Sequence, residues 1–135
     1  MWYYMNIKNT LVSLLYPRKC PFCTKVIDEN LLLCHRCEKK LPFIPKHLQP
    51  RSFKYIERCY SVFYYRDMVQ ESILRYKFHN ASAYSEIYGH FLRKCIDENQ
   101  ISCDIISWVP LSRKRLRKRG YDQARLLAEE CASQF

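Results

Sequence analysis

Glycine is scarce in this 135-residue chain, which contains only two. Loops that cradle phosphate need backbone that approaches the ligand closely or adopts a positive φ, and glycine provides both. The chain therefore has material for little more than one such loop, which argues against a complete nucleotide-binding enzyme. A run of about 18 consecutive apolar residues is also absent, so no membrane span is predicted.

Acidic residues are fewer than basic ones. The chain has 13 Asp and Glu but 23 Lys and Arg, which gives a net charge of +10. Such an excess favours polyanionic partners such as nucleic acid, phosphate esters or an anionic surface. Disorder is excluded by composition, because 48% of the residues are apolar. The length allows one domain, or a small module attached to an incomplete larger one.

Eight cysteines are present, and four of them form two C-x-x-C pairs separated by ten residues. Two such turns facing each other place four thiolates in a tetrahedron, which is the ligand set of a structural zinc ion. Zinc also supplies stability that a module of about 30 residues cannot obtain from its own core. We therefore predict a zinc site with the ligands Cys20, Cys23, Cys34 and Cys37.

Two alternatives for these cysteines stay open: four reduced core thiols, or a redox pair. A redox motif needs only one pair inside a βαβ unit, and here two pairs lie outside one. A catalytic zinc is not expected, because four thiolates leave no open coordination position. His35 is expected outside the ligand set, whereas Cys95 and Cys131 fit small buried hydrophobic positions. The N-terminus is a poor secretory signal, so a cytoplasmic location with reduced thiols is predicted.

Periodicity and breaker residues predict the order of elements. The predictions are a helix over 6–16, a basic linker over 38–57, a strand over 59–65, helices over 67–78 and 83–97, a buried parallel strand over 104–109, a basic loop over 111–120 and a final helix. This order indicates an α/β fold whose sheet is unfinished. We predict two domains, residues 1–50 with the zinc ribbon and residues 58–135 with the α/β part.

The basic loop is the second candidate site, because six of the seven residues from Arg113 to Arg119 are basic. It follows a predicted strand and precedes a helix, where open α/β sheets bind ligands and free N–H groups suit phosphate. The predicted phosphate- or nucleic-acid-binding residues are Arg113, Lys114, Arg115, Arg117, Lys118, Arg119 and Gly120. A solvated surface run or a localisation signal is the alternative.

Four segments, in this order, resemble the ComF family of competence-associated, phosphoribosyltransferase-like bacterial proteins. They are LLYPRKCPFC, LCHRC, YSVFYYRDMVQESILRYKFHN and DIISWVPLSRKRLRKRGYDQARLLA. The resemblance implies a small N-terminal zinc ribbon followed by the incomplete N-terminal part of a type I phosphoribosyltransferase-like domain. It also implies that Arg113–Gly120 form the pyrophosphate-side loop and that Lys77 approaches the active cleft. Packing of Tyr76 in the core, with Lys77 and His79 solvated, stays open as an alternative.

The chain departs from the family pattern in two respects. Trp108 and Asp122 stand where the family often has Pro and usually has Asn. The family's diphosphoribosyl-phosphate loop, with two acidic residues and a T-T-G-type turn, is missing from the sequence. The chain is therefore expected to be a C-terminally truncated copy that is inactive as a transferase.

Three functions follow as expectations. The first is a phosphoribosyltransferase-like protein of DNA uptake, with a phosphorylated ribose ligand and DNA-uptake proteins as partners. The second is a zinc-dependent module that binds single-stranded DNA by phosphate neutralisation and base stacking. The third is an inert fragment, poorly folded beyond the zinc module.

Overall fold

The computed structural model describes residues 17–133. They form two compact units, and the division falls between Lys40 and Leu41. The domain limits 1–50 and 58–135 stay predictions, and the helix predicted over 6–16 lies outside the described residues. Among residues 17–133, no helix has the length and apolar character that crossing a bilayer requires.

The first unit is built on two turns that each carry a cysteine pair. Lys19 and Val26 form an antiparallel bridge around the first turn. The second turn leads into a one-turn helix, α1, at His35–Glu38. Few side chains are buried here, and they are Cys20, Pro21, Phe22 and Cys37.

Before its long helices, the second unit contains a short 3-10 helix at Lys46–Leu48 and a hairpin, and not the full strand predicted over 59–65. Strand β1, Arg51–Phe53, pairs antiparallel with β2, Ile56–Cys59. Beyond Cys59 the chain makes only an isolated bridge, between Phe43 and Phe63. The strand prediction is therefore wrong in extent, because residues 60–65 meet one short segment instead of a neighbouring strand. Part of the predicted linker, in turn, forms the β1–β2 hairpin.

Two long helices match their predictions to within a residue or two, α2 at Asp67–Phe78 and α3 at Tyr84–Glu98. Their apolar residues recur every three to four positions, which puts them on one face. The largest fully buried apolar side chains of this unit are Val69 and Ile87. Phe63 and Phe91 pack edge to face, with ring centroids 5.0 Å apart, and this contact joins the extended segment to α3.

The last two helices are α4, Arg113–Arg119, and α5, Gln123–Ala132. Helix α5 packs against α3, where Gly89 meets Glu130. A Cβ atom at Gly89 would lie 2.4 Å from the Glu130 Cβ, so glycine is what allows the two helices to approach. The residues predicted as a basic loop are thus mostly helical, because Lys, Arg and Leu are good helix formers.

Residues 104–109 do not form the predicted parallel strand. They are irregular, and the Ile105 and Val109 side chains are 83% and 84% exposed. A parallel strand is buried only when strands and helices flank it, and no described segment pairs with this one. The only sheet among the described residues is the β1–β2 pair. The described fold is therefore mixed, with helices and a small antiparallel sheet, instead of the predicted parallel α/β sheet.

Candidate metal centre and basic surface

The four predicted cysteines come together in the first unit. The Sγ atoms of Cys20, Cys23, Cys34 and Cys37 all lie within 4.8 Å of one another. Cys23 Sγ and Cys34 Sγ are 3.6 Å apart, far beyond the roughly 2.05 Å of a disulfide. Tetrahedral zinc with Zn–S bonds of about 2.3 Å has sulfur–sulfur edges of about 3.8 Å. The cluster therefore fits zinc and not a disulfide.

Backbone hydrogen bonds hold each turn in the shape that presents its sulfurs. The Thr24 N–H donates to the Cys20 carbonyl at 2.9 Å, and the Cys20 N–H donates to Lys25 at 2.8 Å. Thr24 takes φ 61° to close this turn. In the second turn the Cys37 N–H donates to the Cys34 carbonyl at 3.0 Å. Both thiols of each pair are thereby fixed by local backbone.

The thiols have unequal acidities without a metal. Burial raises the pKa of Cys34, but hydrogen bonds from the Cys37 backbone and the neighbouring thiols outweigh burial and lower it to about 7. Burial, followed by the hydrogen bond to Cys34, raises the pKa of Cys37. Hydrogen bonds thus favour the thiolate form of Cys34, whereas burial favours the protonated form of Cys37. A divalent cation supplies the charge that allows four thiolates to coexist, and its role with this ligand set is structural.

His35 is not part of the cluster. Its side chain is largely exposed, and its Nδ1 lies 3.4 Å from Glu38 Oε2. The expectation that His35 stays outside the ligand set agrees with this position. Cys131 is buried and Cys95 is half-buried, and burial raises the pKa of both thiols. Both behave as small apolar residues of the second unit.

The basic run forms a small, highly charged helix. The Ser112 side chain caps α4 by accepting from the Arg115 N–H. Gly120 ends it with φ 81°, a left-handed conformation that suits glycine. All residues from Arg113 to Lys118 are exposed. Among the described residues, no carboxylate lies within ion-pair distance of the six cations of α4.

Two details of the predicted phosphate site are corrected. The amides at the start of α5 are occupied, because Asp122 Oδ1 accepts from Ala124 and Arg125 and its Oδ2 accepts from the Leu111 N–H. A carboxylate thus sits where a phosphate was predicted to bind the helix N-terminus. Gly120 ends α4 with a positive φ. This conformation accounts for a glycine at position 120 without a role in binding a ligand.

Arg119 differs from the other cations of α4. Its guanidinium donates to Gln123 Oε1 at 2.8 Å and lies 4.9 Å from the centre of the Phe78 ring. These contacts tie the C-terminal end of α4 to α5 and α2. The remaining five cations keep their charged groups in solvent.

Lys77 lies on α2 next to Phe78, whose ring Arg119 contacts. It lines an apolar cavity of about 370 Å³ together with Tyr76, Phe91 and Leu127. A separate cavity of about 490 Å³ is lined by Leu116, Gly120 and Asp122. The structure does not bring Lys77 and α4 into one cavity among the described residues. Tyr76 is a core residue whose hydroxyl donates to the Gln123 carbonyl at 2.9 Å.

Sequence reasoning missed one exposed group, the aromatic side chains of the β1–β2 hairpin. Most of the hairpin falls within residues 38–57, which are predicted from the sequence as a linker because that stretch contains three prolines. The signal that could have found it is the cluster of aromatic and β-branched residues Phe53, Tyr55 and Ile56, which are residue types that favour strands.

Comparisons with known proteins agree with this geometry. A family described as "Double zinc ribbon domain" matches residues 11–51. Competence protein ComFC of Bacillus subtilis (strain 168) is 28% identical over 114 residues. These findings support a ComF-family assignment. Zinc is accordingly the metal that the four cysteines hold.

The ComFC match covers 82% of this chain and 43% of the length of that relative. The chain thus spans less than half of the ComF-family protein it matches. No solved structure matches the chain.

Proposed function

We propose that this chain serves DNA uptake by binding single-stranded nucleic acid through α4 of its second unit. The observation that carries the proposal is the set of six cations on one seven-residue helix, with no acidic partner among the described residues. The name of the similar competence protein supports the biological setting. A cytoplasmic location and DNA-uptake proteins as partners belong to the same proposal.

The cations of α4 differ electrostatically from cations elsewhere in the second unit. Lys46 and Lys94 both lie within 4.0 Å of the Glu98 carboxylate, so one negative charge offsets part of their combined positive charge. The charge of α4 has no such neutralisation in the described residues. Phosphates that bind there release counterions from the nucleic acid, which makes binding favourable at low salt.

The arrangement of these cations favours binding that does not depend on sequence. Residues three and four apart share a helix face, so the five solvent-exposed cations spread over more than one face of α4. Such a helix attracts phosphates, but it offers no fixed pattern of donors to read base edges. We therefore expect affinity that depends on strand length and salt, and little on base sequence.

The proposal is tested by fluorescence polarisation with a labelled 20-nucleotide oligothymidine and the zinc-loaded protein. Removing two phosphate contacts with Arg115→Ala and Arg117→Ala should reduce the slope of log affinity against log salt by about 1.4. The matched control is Lys46→Ala with Lys94→Ala, which removes the same charge from ion-paired positions.

Equal effects of the two double variants would mean that net charge, and not α4, governs binding. Absence of any binding at low salt would reject the proposal outright. Circular dichroism and zinc content show whether each variant keeps its fold.

A second proposal concerns the phosphoribosyltransferase-like activity that the ComF resemblance implies. Its support is the resemblance of residues 104–128 together with the ComFC match. Under it, α4 contacts the phosphates of a phosphorylated ribose ligand, whereas Lys77 lines a different cavity. The chain as given has no acidic pair followed by a T-T-G turn, so we expect no transfer by this chain alone. Release of pyrophosphate from phosphoribosyl pyrophosphate by the purified chain would contradict that expectation.

A further inference from the structure

The β1–β2 hairpin exposes three large apolar side chains. The exposed fractions of Phe53, Tyr55 and Ile56 are 58%, 86% and 52%. Tyr55 lies in the two-residue turn at the tip, and both strands are exposed along almost their whole length. These three residues follow one another closely along the hairpin, and contiguous exposed apolar patches mark interaction sites more often than isolated residues do.

The hairpin places exposed apolar side chains beside cations and one carboxylate, and Arg58 Nε lies 4.0 Å from Glu57 Oε1. Phe53 pairs directly with Ile56 across the ladder, so their side chains share a face. The register shifts between this pair and the Arg51–Cys59 pair, which places an extra residue in β2 between Ile56 and Cys59, so alternation does not assign faces to Glu57 and Arg58. The face that Phe53 and Ile56 share therefore combines an aromatic ring with an aliphatic group.

The tip adds a second ring with its own cation. The Lys54 ammonium lies 5.1 Å from the centre of the Tyr55 ring. Arg51 begins β1, so three cations and one carboxylate belong to the hairpin. Flat rings beside positive charges complement single-stranded nucleic acid, whose bases stack on aromatic side chains while its phosphates attract cations.

We propose that this hairpin is a base-stacking surface for single-stranded nucleic acid, with Tyr55 and Phe53 as the stacking rings. The inference rests on the proposed function, in which α4 binds the phosphates, and it assigns the bases to a different element. Arg51, Lys54 and Arg58 hold the backbone beside the stacked bases.

The experiment separates stacking from charge by using two 15-nucleotide ligands, oligothymidine and an abasic strand with the same phosphates. Tyr55→Leu and Phe53→Leu keep apolar bulk but remove the ring. Each should weaken binding to oligothymidine about tenfold, with binding to the abasic strand and the salt slope unchanged. Tyr65→Leu is the matched control, since Tyr65 is a 55% exposed ring outside the hairpin.

Each other result is decisive. Wild-type binding to oligothymidine that is insensitive to both hairpin variants overturns the stacking surface and leaves the role of α4 standing. Equal losses for the abasic strand also overturn it. Failure of the wild type to bind either strand overturns both proposals. Binding of vesicles of anionic phospholipid that needs Tyr55, without oligothymidine binding, would make the hairpin a membrane-contact surface instead.

Discussion

The two units of this chain reach stability by different means. The cysteine unit buries few side chains, two of them metal ligands, and its turns are held by backbone hydrogen bonds around four sulfurs. The helical unit buries Val69, Tyr76, Ile87 and Phe91 between its helices and an extended segment. Its buried hydroxyls are paired, as in the 2.7 Å bond from Tyr88 to Ser72 Oγ.

This difference shows what a short segment can and cannot do alone. A unit of this size has too little apolar surface to offset its chain entropy, so a metal must contribute folding free energy. The helical unit is longer and gains its stability from buried apolar area. The two units should therefore respond to different perturbations, and four experiments test that separation.

Removal of zinc should have the largest effect, and only on the cysteine unit. Structural zinc sites contribute apparent binding free energies of about 10–16 kcal/mol at neutral pH. We expect chelation, or Cys20→Ser, to abolish amide protection over residues 18–40 while α2 and α3 stay protected. Hydrogen exchange with mass spectrometry measures both regions in one sample.

His35→Ala is the control for that experiment, because His35 lies beside the cluster without belonging to it. It should leave zinc content and protection unchanged. Loss of protection in α3 on chelation would contradict the separate stability of the units.

Ile87→Ala should destabilise the helical unit by about 2–5 kcal/mol, because it removes three carbons from a fully buried site. Ile87→Val is the graded control, with an expected cost of about 0.5–1.5 kcal/mol. Urea unfolding followed by circular dichroism measures both variants. Zinc content should stay the same in each variant. A loss of zinc in Ile87→Ala would contradict the separate stability of the two units.

High pH should weaken the helical unit through Tyr88. Burial raises the pKa of Tyr88 to about 12, above the value of about 10 for an exposed tyrosine. The unfolded chain therefore releases this proton first, so stability falls as the pH rises from 10 to 12. The total loss from this group is about 2–3 kcal/mol.

Tyr88→Phe should flatten that part of the stability profile, although it also removes the bond to Ser72. The measurement is the free energy of unfolding at several pH values above 9. An unchanged decline in the variant would assign the effect to other groups.

Asp122 should have the smallest effect, as the cap of α5. Asp122→Ala should cost about 1 kcal/mol, because it leaves the Ala124 and Arg125 amides without their acceptor. Asp122→Asn keeps an oxygen at that position and should retain most of the stability. Thermal unfolding distinguishes the two, and equal destabilisation would indicate that charge, and not capping, matters there.

Local patterns predicted much of this protein. The spacing of Cys20, Cys23, Cys34 and Cys37 predicted the cluster. Two residues between a pair of cysteines are enough to form a turn, and residues far along the chain are not needed for it. Helices α2 and α3 were predicted from the recurrence of their apolar residues. In both cases the residues that determine the local structure lie within about 20 positions of one another. Their pattern can therefore be recognised in the sequence without knowledge of the fold.

Predictions that depended on distant partners fared worse. The apolar run at 104–109 has the composition of a buried strand, yet Ile105 and Val109 face solvent because no strand is there to pair with them. The basic segment was predicted as a loop that offers amides to phosphate. Ser112 and Gly120 instead cap a helix. The Asp122 carboxylate accepts hydrogen bonds from the Ala124 and Arg125 amides, which are the amides at the start of α5.

The sequence by itself determined the zinc ligands, the excess of positive charge and the helices of the second unit. These depend on residue type and short spacing, which need no knowledge of the fold. Only the tertiary structure decided that the cations of α4 lack acidic neighbours in the described residues, and that the rings of the hairpin stay in solvent. The exposure of a side chain and the neutralisation of its charge depend on which residues from distant parts of the sequence pack beside it.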